Sequence, residues 1–348
     1  MKGHQMKRLL ARSATVLLAA PLVLLAVQST PTSTKTVDKS SSASNVAAAR
    51  ADFLKVMSSH APKVGGTGGW VSPREKTADT AKAKNGTVTA VQSANWSGYA
   101  DSESGSDTVS YVSGSWTIPS VTCLPRPYQN QDAFLANWVG VDGFSDSTVE
   151  QLGTAAQCYE GVEYYYVWYE MYPAGTVEEG TTACINDNVD CPRPGDRVTA
   201  SVSVTPADSG ENNYTLTLTD RTRPQESFST SAQCATDTCA DTSGEWIVER
   251  PAVAPAFGIQ ILPQADFTRT YFSSGDITSG GVTSNIQGFN DGPVYDMAMI
   301  DDTASYILSC VDQPAPPGTL LSATDATSCP AATPTRRGGF EESWDSSF

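Results

Sequence analysis

Period-two alternation runs through the chain from about residue 90 to residue 312, and it restricts the fold more than any other feature. Val198, Ala200, Val202 and Val204 alternate with Thr199, Ser201 and Ser203, and Tyr214, Leu216 and Leu218 alternate with threonines. Tyr111 to Ile118 stops at Pro119, Phe134 to Val141 closes on Asp142-Gly143, and Val162 to Tyr172 is long and aromatic. Met297 to Cys310 supplies one or two closing strands. β-Branched and aromatic residues at every second position put one face of a strand in a core and the other outside it. No stretch of this region carries a convincing helical period. Roughly 220 residues of this kind fit one all-β domain, expected as a two-sheet antiparallel β-sandwich of the concanavalin or lectin type.

The flanks are of another kind. Lys2, Lys7, Arg8 and Arg12 precede an apolar run from Val16 to Val27, which polar Gln28-Ser29-Thr30-Pro31 closes. A positive start and a short apolar run read as a secretory signal over residues 1–28, cleaved near residues 26–30. An uncleaved anchor is the alternative. No later segment approaches the ~18 apolar residues of a membrane span. Residues 29–88 are rich in Ser, Thr, Ala and Lys, with Gly-Gly-Thr-Gly-Gly at 65–69. This is poor core material, so they read as a propeptide, largely disordered, with Ala47 to Met57 suited to one short helix. A plain linker is the other reading. The sandwich then takes residues 89–312. Residues 313–348 form a Pro/Ser/Thr-rich tail in which Phe340 to Phe348 offers a docking segment.

Charge divides the chain at the same place. All nine lysines lie between Lys2 and Lys84; residues 1–84 carry net +9 and residues 85–348 net −25. So negative a field argues against nucleic acid or an anionic membrane as partner of the mature domain. It suits acidic surroundings, where many carboxylates are neutral, although secreted solubility alone would also explain it. The positive pro-segment is expected to cover and inhibit the acidic domain until acid weakens their attraction. Extracellular export and a monomeric mature protein complete the expectation.

Eight cysteines between residues 123 and 329, behind a signal sequence, predict disulfides. Spacing favours Cys184 with Cys191 and Cys234 with Cys239, leaving Cys123 with Cys158 and Cys310 with Cys329. Neither a CxxC pair nor a nearby histidine supports zinc. The acidic turns at 101–107 and 290–292 fit no EF-hand loop. No metal and no cofactor are expected.

Elimination narrows the chemistry. The only histidines are His4 and His60, both in segments read as removed. Without His or Lys, the mature domain has no Ser-His-Asp, Cys-His or Ser-Lys mechanism. It has no phosphate loop or dinucleotide fingerprint. Carboxylates, amides and tyrosines remain. Three segments stand out: Thr148 to Thr154, Tyr166 to Pro173 and Gly244 to Pro251. On a strand Glu245, Ile247 and Glu249 share one face, opposite Trp246 and Val248, and Glu170 shares a face with Trp168 and Tyr166. Carboxylates on aromatic-lined strand faces suggest a groove for an extended polymer. Exposed strand residues are the bland alternative for each, and a glycosidase or a polysaccharide-binding or adhesion domain fits the same pattern.

At these residues the chain resembles the eqolisins, the glutamic peptidases. The segments run in order: Asn95-Trp96-Ser97-Gly98-Tyr99, Trp116-Thr117-Ile118-Pro119, Trp138-Val139-Gly140-Val141-Asp142-Gly143, Gln151-Leu152-Gly153, Trp168-Tyr169-Glu170-Met171-Tyr172-Pro173 and Glu245-Trp246-Ile247-Val248-Glu249. The resemblance implies an acid endopeptidase of two packed antiparallel sheets acting on protein or peptide substrates. It implies Gln151 and Glu249 as the catalytic pair. It places Trp96, Trp138, Trp168 and Glu170 in the cleft lining, with Asp142 as a supporting acid. One departure is Ala155, where the archetype carries an Asp four residues beyond its glutamine. Asn85-Gly86-Thr87, Asn95-Trp96-Ser97 and Asn213-Tyr214-Thr215 are glycosylation acceptors if the host glycosylates.

Overall fold

The computed structural model describes residues 43–58, 70–71, 80–82, 87–102, 107–123, 132–182, 184, 189–206, 212–234, 239–253, 260–286, 293–301, 306–312, 321–322, 329, 332 and 339–344. The segment read as a secretory signal, both histidines and most of the proposed tail lie outside them.

The alternating segments form strands, and their pairings make two runs. One run follows the order Thr176–Glu179, Val162–Tyr172, Val149–Tyr159, Ala133–Val141, Ser243–Glu249, Trp96–Ser102, Val294–Ile300, antiparallel throughout. Thr87–Ser93 adds to Val294–Ile300 in parallel. The other run is Phe228–Gln233, Asn213–Asp220, Arg197–Thr205, Val109–Thr117, Thr270–Ser279. One core joins them. Val139, Leu152, Val167, Trp246 and Val248 of the first run pack with Val112, Trp116, Val198, Val202, Leu216 and Phe272 of the second. Fully burying such a side chain stabilises by about 1.5–3 kcal/mol, so this shared core is the main force holding the runs together.

The hydrogen bonding differs from the two separate sheets expected. It is continuous, as a 19-stranded sheet. Phe340–Trp344 pairs with Thr270–Ser279 on one side and with Tyr306–Val311 on the other, and the latter pairs with Val294–Ile300. Part of the tail is therefore a strand. The reason is Phe340, fully buried, stacked on Phe272 and set edge-on to Tyr99. The boundary at 88/89 likewise falls inside the strand Thr87–Ser93.

The segment read as largely disordered supplies a helix, Ala43–Ser58. Alanines favour it, and Val46, Ala49, Phe53, Val56 and Met57 repeat at helical spacing as a buried stripe. That stripe packs on the outer face of the first run, in a second cluster with Trp96, Phe134, Trp138, Tyr166 and Trp168. Composition averaged over residues 29–88 hides this stripe, which needs the groove as its partner. The disulfides among the described residues include the two pairs favoured by spacing, 184–191 and 234–239, and the two pairs left over, 123–158 and 310–329. No helix of the described residues is long and apolar enough to cross a membrane.

Candidate active site

Alternation sorts the strand Ser243–Glu249 as expected. Trp246 and Val248 enter the core between the runs, and Ile247 joins the outer cluster. Glu249 sits opposite Trp96 on one neighbouring strand and Ala136 on the other. Its Oε1 accepts from Trp96 Nε1 at 2.9 Å and from Asn95 Nδ2 at 3.1 Å, and its Oε2 accepts from Trp138 Nε1 at 2.7 Å. Three N–H donors around one carboxylate suit its ionised, accepting form. Trp96 and Trp138 meet edge to face, with centroids 4.9 Å apart.

Gln151 sits opposite Gly140 and Glu170. Its Nε2 donates to Glu170 Oε2 at 2.7 Å, and the Thr176 hydroxyl donates to Glu170 Oε1 at 3.1 Å. A Cβ at Gly140 would lie 3.0 Å from Trp138 Cζ3 and 3.2 Å from Gln151 Cβ, so this glycine leaves room for the indole beside Gln151. Opposite Trp138, a Cβ at Gly153 would come within 2.1 Å of the Asn137 carbonyl, which excludes any side chain there. The register sets Gln151 and Glu249 four positions apart along the strands, with Trp138 between them. Gln151, Trp168, Glu170 and Glu249 are all fully buried. Gln151 Oε1 and Trp168 Nε1 have no hydrogen-bond partner among the described residues.

The cover is the helix Ala43–Ser58. Phe53 stacks on Tyr166 with centroids 4.0 Å apart. Gln157 Nε2 donates to Asp52 at 2.8 Å. The Arg50 guanidinium lies over the Tyr166 ring and pairs with Glu178.

Asp142, expected in support of the cleft, is turned elsewhere. It adopts φ 66° at the end of its strand. Its carboxylate accepts the backbone N–H groups of Asp241 and Thr242, both at 2.7 Å. Beside it lie Glu150 and Asp241, and oxygens of all three fall within 4.8 Å of one another. Burial, then the charge of Asp146, pushes Asp142 up to about 7. Burial, then Asp142, pushes Glu150 well above the ordinary carboxylate range. Glu150 Oε1 also lies 2.9 Å from Cys239 Sγ. That sulfur is in a disulfide and carries no hydrogen, so a hydrogen bond here takes its proton from Glu150. A cation could gather these three acids, but the sulfur contact and the upward shifts suit protons better.

Sequence reasoning did not single out Asn95, Thr176 or Glu150. In the sequence Asn95 stands out only as a glycosylation acceptor within Asn95-Trp96-Ser97. It is 1 % exposed and donates to Glu249, which removes it from that role. Glu150 could be found only as the neighbour of Gln151.

An all-β sheet face that sets one carboxylate among N–H donors suits a carboxylate-dependent hydrolase. The chain belongs to the peptidase A4 family, whose model matches residues 94–311. This is the eqolisin family, so the glutamic endopeptidase expected from the six motifs stands on that membership. The fold is similar to the crystal structure of scytalido-glutamic peptidase with a transition state analog inhibitor. The TM-score is 0.50 at 19% identity, over 72% of this chain and 98% of that one. Aspergilloglutamic peptidase from Aspergillus niger matches at 20% identity over 61% of this chain and 99% of its own, with a TM-score of 0.39. Among curated proteins, none matches.

Proposed function

We propose that the protein is a secreted acid endopeptidase that hydrolyses protein substrates with Gln151 and Glu249. The helix Ala43–Ser58 belongs to a pro-segment that closes the groove until it leaves, and the mature domain works as a monomer. The carrying observation is the pair of open polar atoms, Gln151 Oε1 and Trp168 Nε1, on the outer strand face that also carries the Glu249 carboxylate. Buried polar groups are nearly always paired, so an open acceptor and an open donor point to a ligand that supplies both. An extended peptide does, through its own N–H and C=O groups.

The chemistry follows from the side chains. Glu249, as carboxylate, takes a proton from a water, which attacks the peptide carbonyl. The second Gln151 Nε2 hydrogen is open to the oxyanion that develops, and such donors contribute about 2.7–4 kcal/mol. Protonated Glu249 then gives its proton to the leaving nitrogen. One ionisable group serves as base and acid in turn, and a free Glu titrates near about 4.3, which is compatible with work in acid. The four disulfides fit an oxidising compartment.

The test is hydrolysis of denatured casein at about pH 3–4 by acid-processed protein, with Gln151→Ala and Glu249→Gln as variants. Both are expected to fold and to lose activity by about 10²–10⁴-fold. Near-normal hydrolysis by either removes that residue from the mechanism. Sugar release from a polysaccharide panel without peptide release would defeat the peptidase chemistry altogether.

A further inference from the structure

The helix that covers the groove also probes it. Arg50 is 5 % exposed. Its guanidinium pairs with Glu178, donates to the Cys184 carbonyl at 2.6 Å, and lies 5.3 Å from the centroid of Tyr166. Glu226 lies close enough to act on the same charge. It is 1 % exposed; Oε1 accepts from the Thr181 hydroxyl at 3.0 Å, and Oε2 has no hydrogen-bond partner among the described residues. One cation therefore faces two buried carboxylates, a carbonyl and a ring face. A guanidinium suits that set better than an ammonium, because its planar fork donates in several directions while its face stacks on an aromatic ring.

The pocket also belongs to the groove. Thr176 and Glu178 share one face of their strand, and Glu178 lies opposite Trp168 in the register. The Thr176 hydroxyl holds Glu170, which holds Gln151. A hydrogen-bonded chain thus runs from the candidate oxyanion donor to the residue two positions before Glu178.

We propose that Glu178, Glu226, Tyr166 and the Cys184 carbonyl form a substrate subsite that selects a basic side chain, arginine ahead of lysine, and that Arg50 occupies it in the covered form. This rests on the peptidase reading above. Departure of the helix strips the pocket of its cation and leaves Glu178 and Glu226 without the opposite charge that Arg50 supplies, a charge that a substrate arginine restores.

The experiment measures kcat/KM of acid-processed protein at about pH 5, above the ordinary glutamate value of about 4.3, and again at about pH 6, because burial raises Glu226 in the covered form. The substrates are peptides carrying Arg, Lys, citrulline or norleucine at each position around one scissile bond. At one position the wild type is expected to cleave the Arg peptide about tenfold or more faster than the citrulline peptide, the scale of one charge-assisted hydrogen bond. In Glu178→Gln that ratio is expected to fall to within about twofold of unity. If Glu178→Gln is not recovered folded, Glu226→Gln is expected to lower the same ratio. Equal wild-type rates for Arg and citrulline at every position overturn the subsite and leave the peptidase standing. A ratio unchanged in the variants also overturns it. Cleavage of none of the peptides by the wild type overturns the peptidase reading and the subsite together.

Discussion

Two groups of buried carboxylates lie on either side of the Gln151 backbone, and they are held in opposite ways. Glu249 faces three N–H donors, from Asn95, Trp96 and Trp138. Glu150 faces Asp142 and a disulfide sulfur, and its shift upward is caused first by burial and then by neighbouring acids. The residue type and degree of burial are the same. What differs is whether the neighbours bring hydrogens or negative charge. N–H donors suit a carboxylate that can accept a proton in a reaction; acids and sulfur suit a carboxyl group that keeps one. The comparison separates chemistry from architecture without reference to any motif.

The same substitution should therefore have opposite results at the two places, and this is the largest effect expected. Glu249→Gln is expected to cost about 10²–10⁴ in hydrolysis rate. Glu150→Gln replaces a neutral acid with a neutral amide of the same shape. Its hydrolysis at acid pH is expected to stay within about threefold of wild type, the two neutral groups being near-equivalent hydrogen-bonding partners. Its melting temperature at about pH 8 is expected to exceed that of wild type, since no charge then has to be buried. A Glu150→Gln protein inactive in acid yet normally folded would merge the two groups and end the contrast.

The pH dependence of stability sharpens it further. Asp142 has a folded value of about 7 against an ordinary 3.8. Below about 4 the group is protonated in both folded and unfolded chains, and its full contribution to stability is present. Between about 4 and 7 only the folded chain keeps the proton, so stability falls as pH rises and the contribution is lost above about 7. Asp132, raised to about 6 by burial and by Asp52 of the covering helix, adds in the same direction. Melting followed by circular dichroism is expected to show a fall on the order of 5–10 °C between pH 4 and pH 8. The fall should be smaller in Asp142→Asn. A melting temperature that climbs with pH would contradict protonated acids in the core.

Much of this was legible in the sequence, for identifiable reasons. Strand faces repeat every two residues, so the sequence alone sets Glu249 on the face opposite Trp246. Spacing pointed to two of the disulfides, whose partners are 7 and 5 residues apart, whereas the bridges 123–158 and 310–329 close longer loops that spacing alone does not select. The Asp142 role was not legible. Its position at the end of a strand does not tell which distant backbone it caps, and its partners Asp241 and Thr242 are about 100 residues away. The covering helix was half legible. Its stripe was in the sequence, but what the stripe packs on is gathered from strands far apart in the chain. The open atoms Gln151 Oε1 and Trp168 Nε1 belong wholly to the structure, because an unpaired group is defined by everything that fails to reach it.

The smallest effect concerns the one departure from the archetype. Ala155 lies opposite Ala136, which lies opposite Glu249, so residue 155 is two strands from the candidate base on the same face. Neighbouring strands are about 4.8 Å apart, which puts the two positions about 10 Å from each other. A carboxylate introduced by Ala155→Asp would act on Glu249 only through that distance and through Trp138 and its neighbours, which already hold the charge. At about 10 Å, with an effective dielectric constant between about 20 and the value of about 80 for water, the interaction is about 0.4–1.7 kcal/mol. The acid limb of the pH–activity profile is expected to move up by about one unit or less, with the maximal rate within about twofold of wild type. A shift of two units or more would mean that residue 155 reaches Glu249 directly. It would also mean that the three N–H donors do not by themselves set the charge of the Glu249 carboxylate.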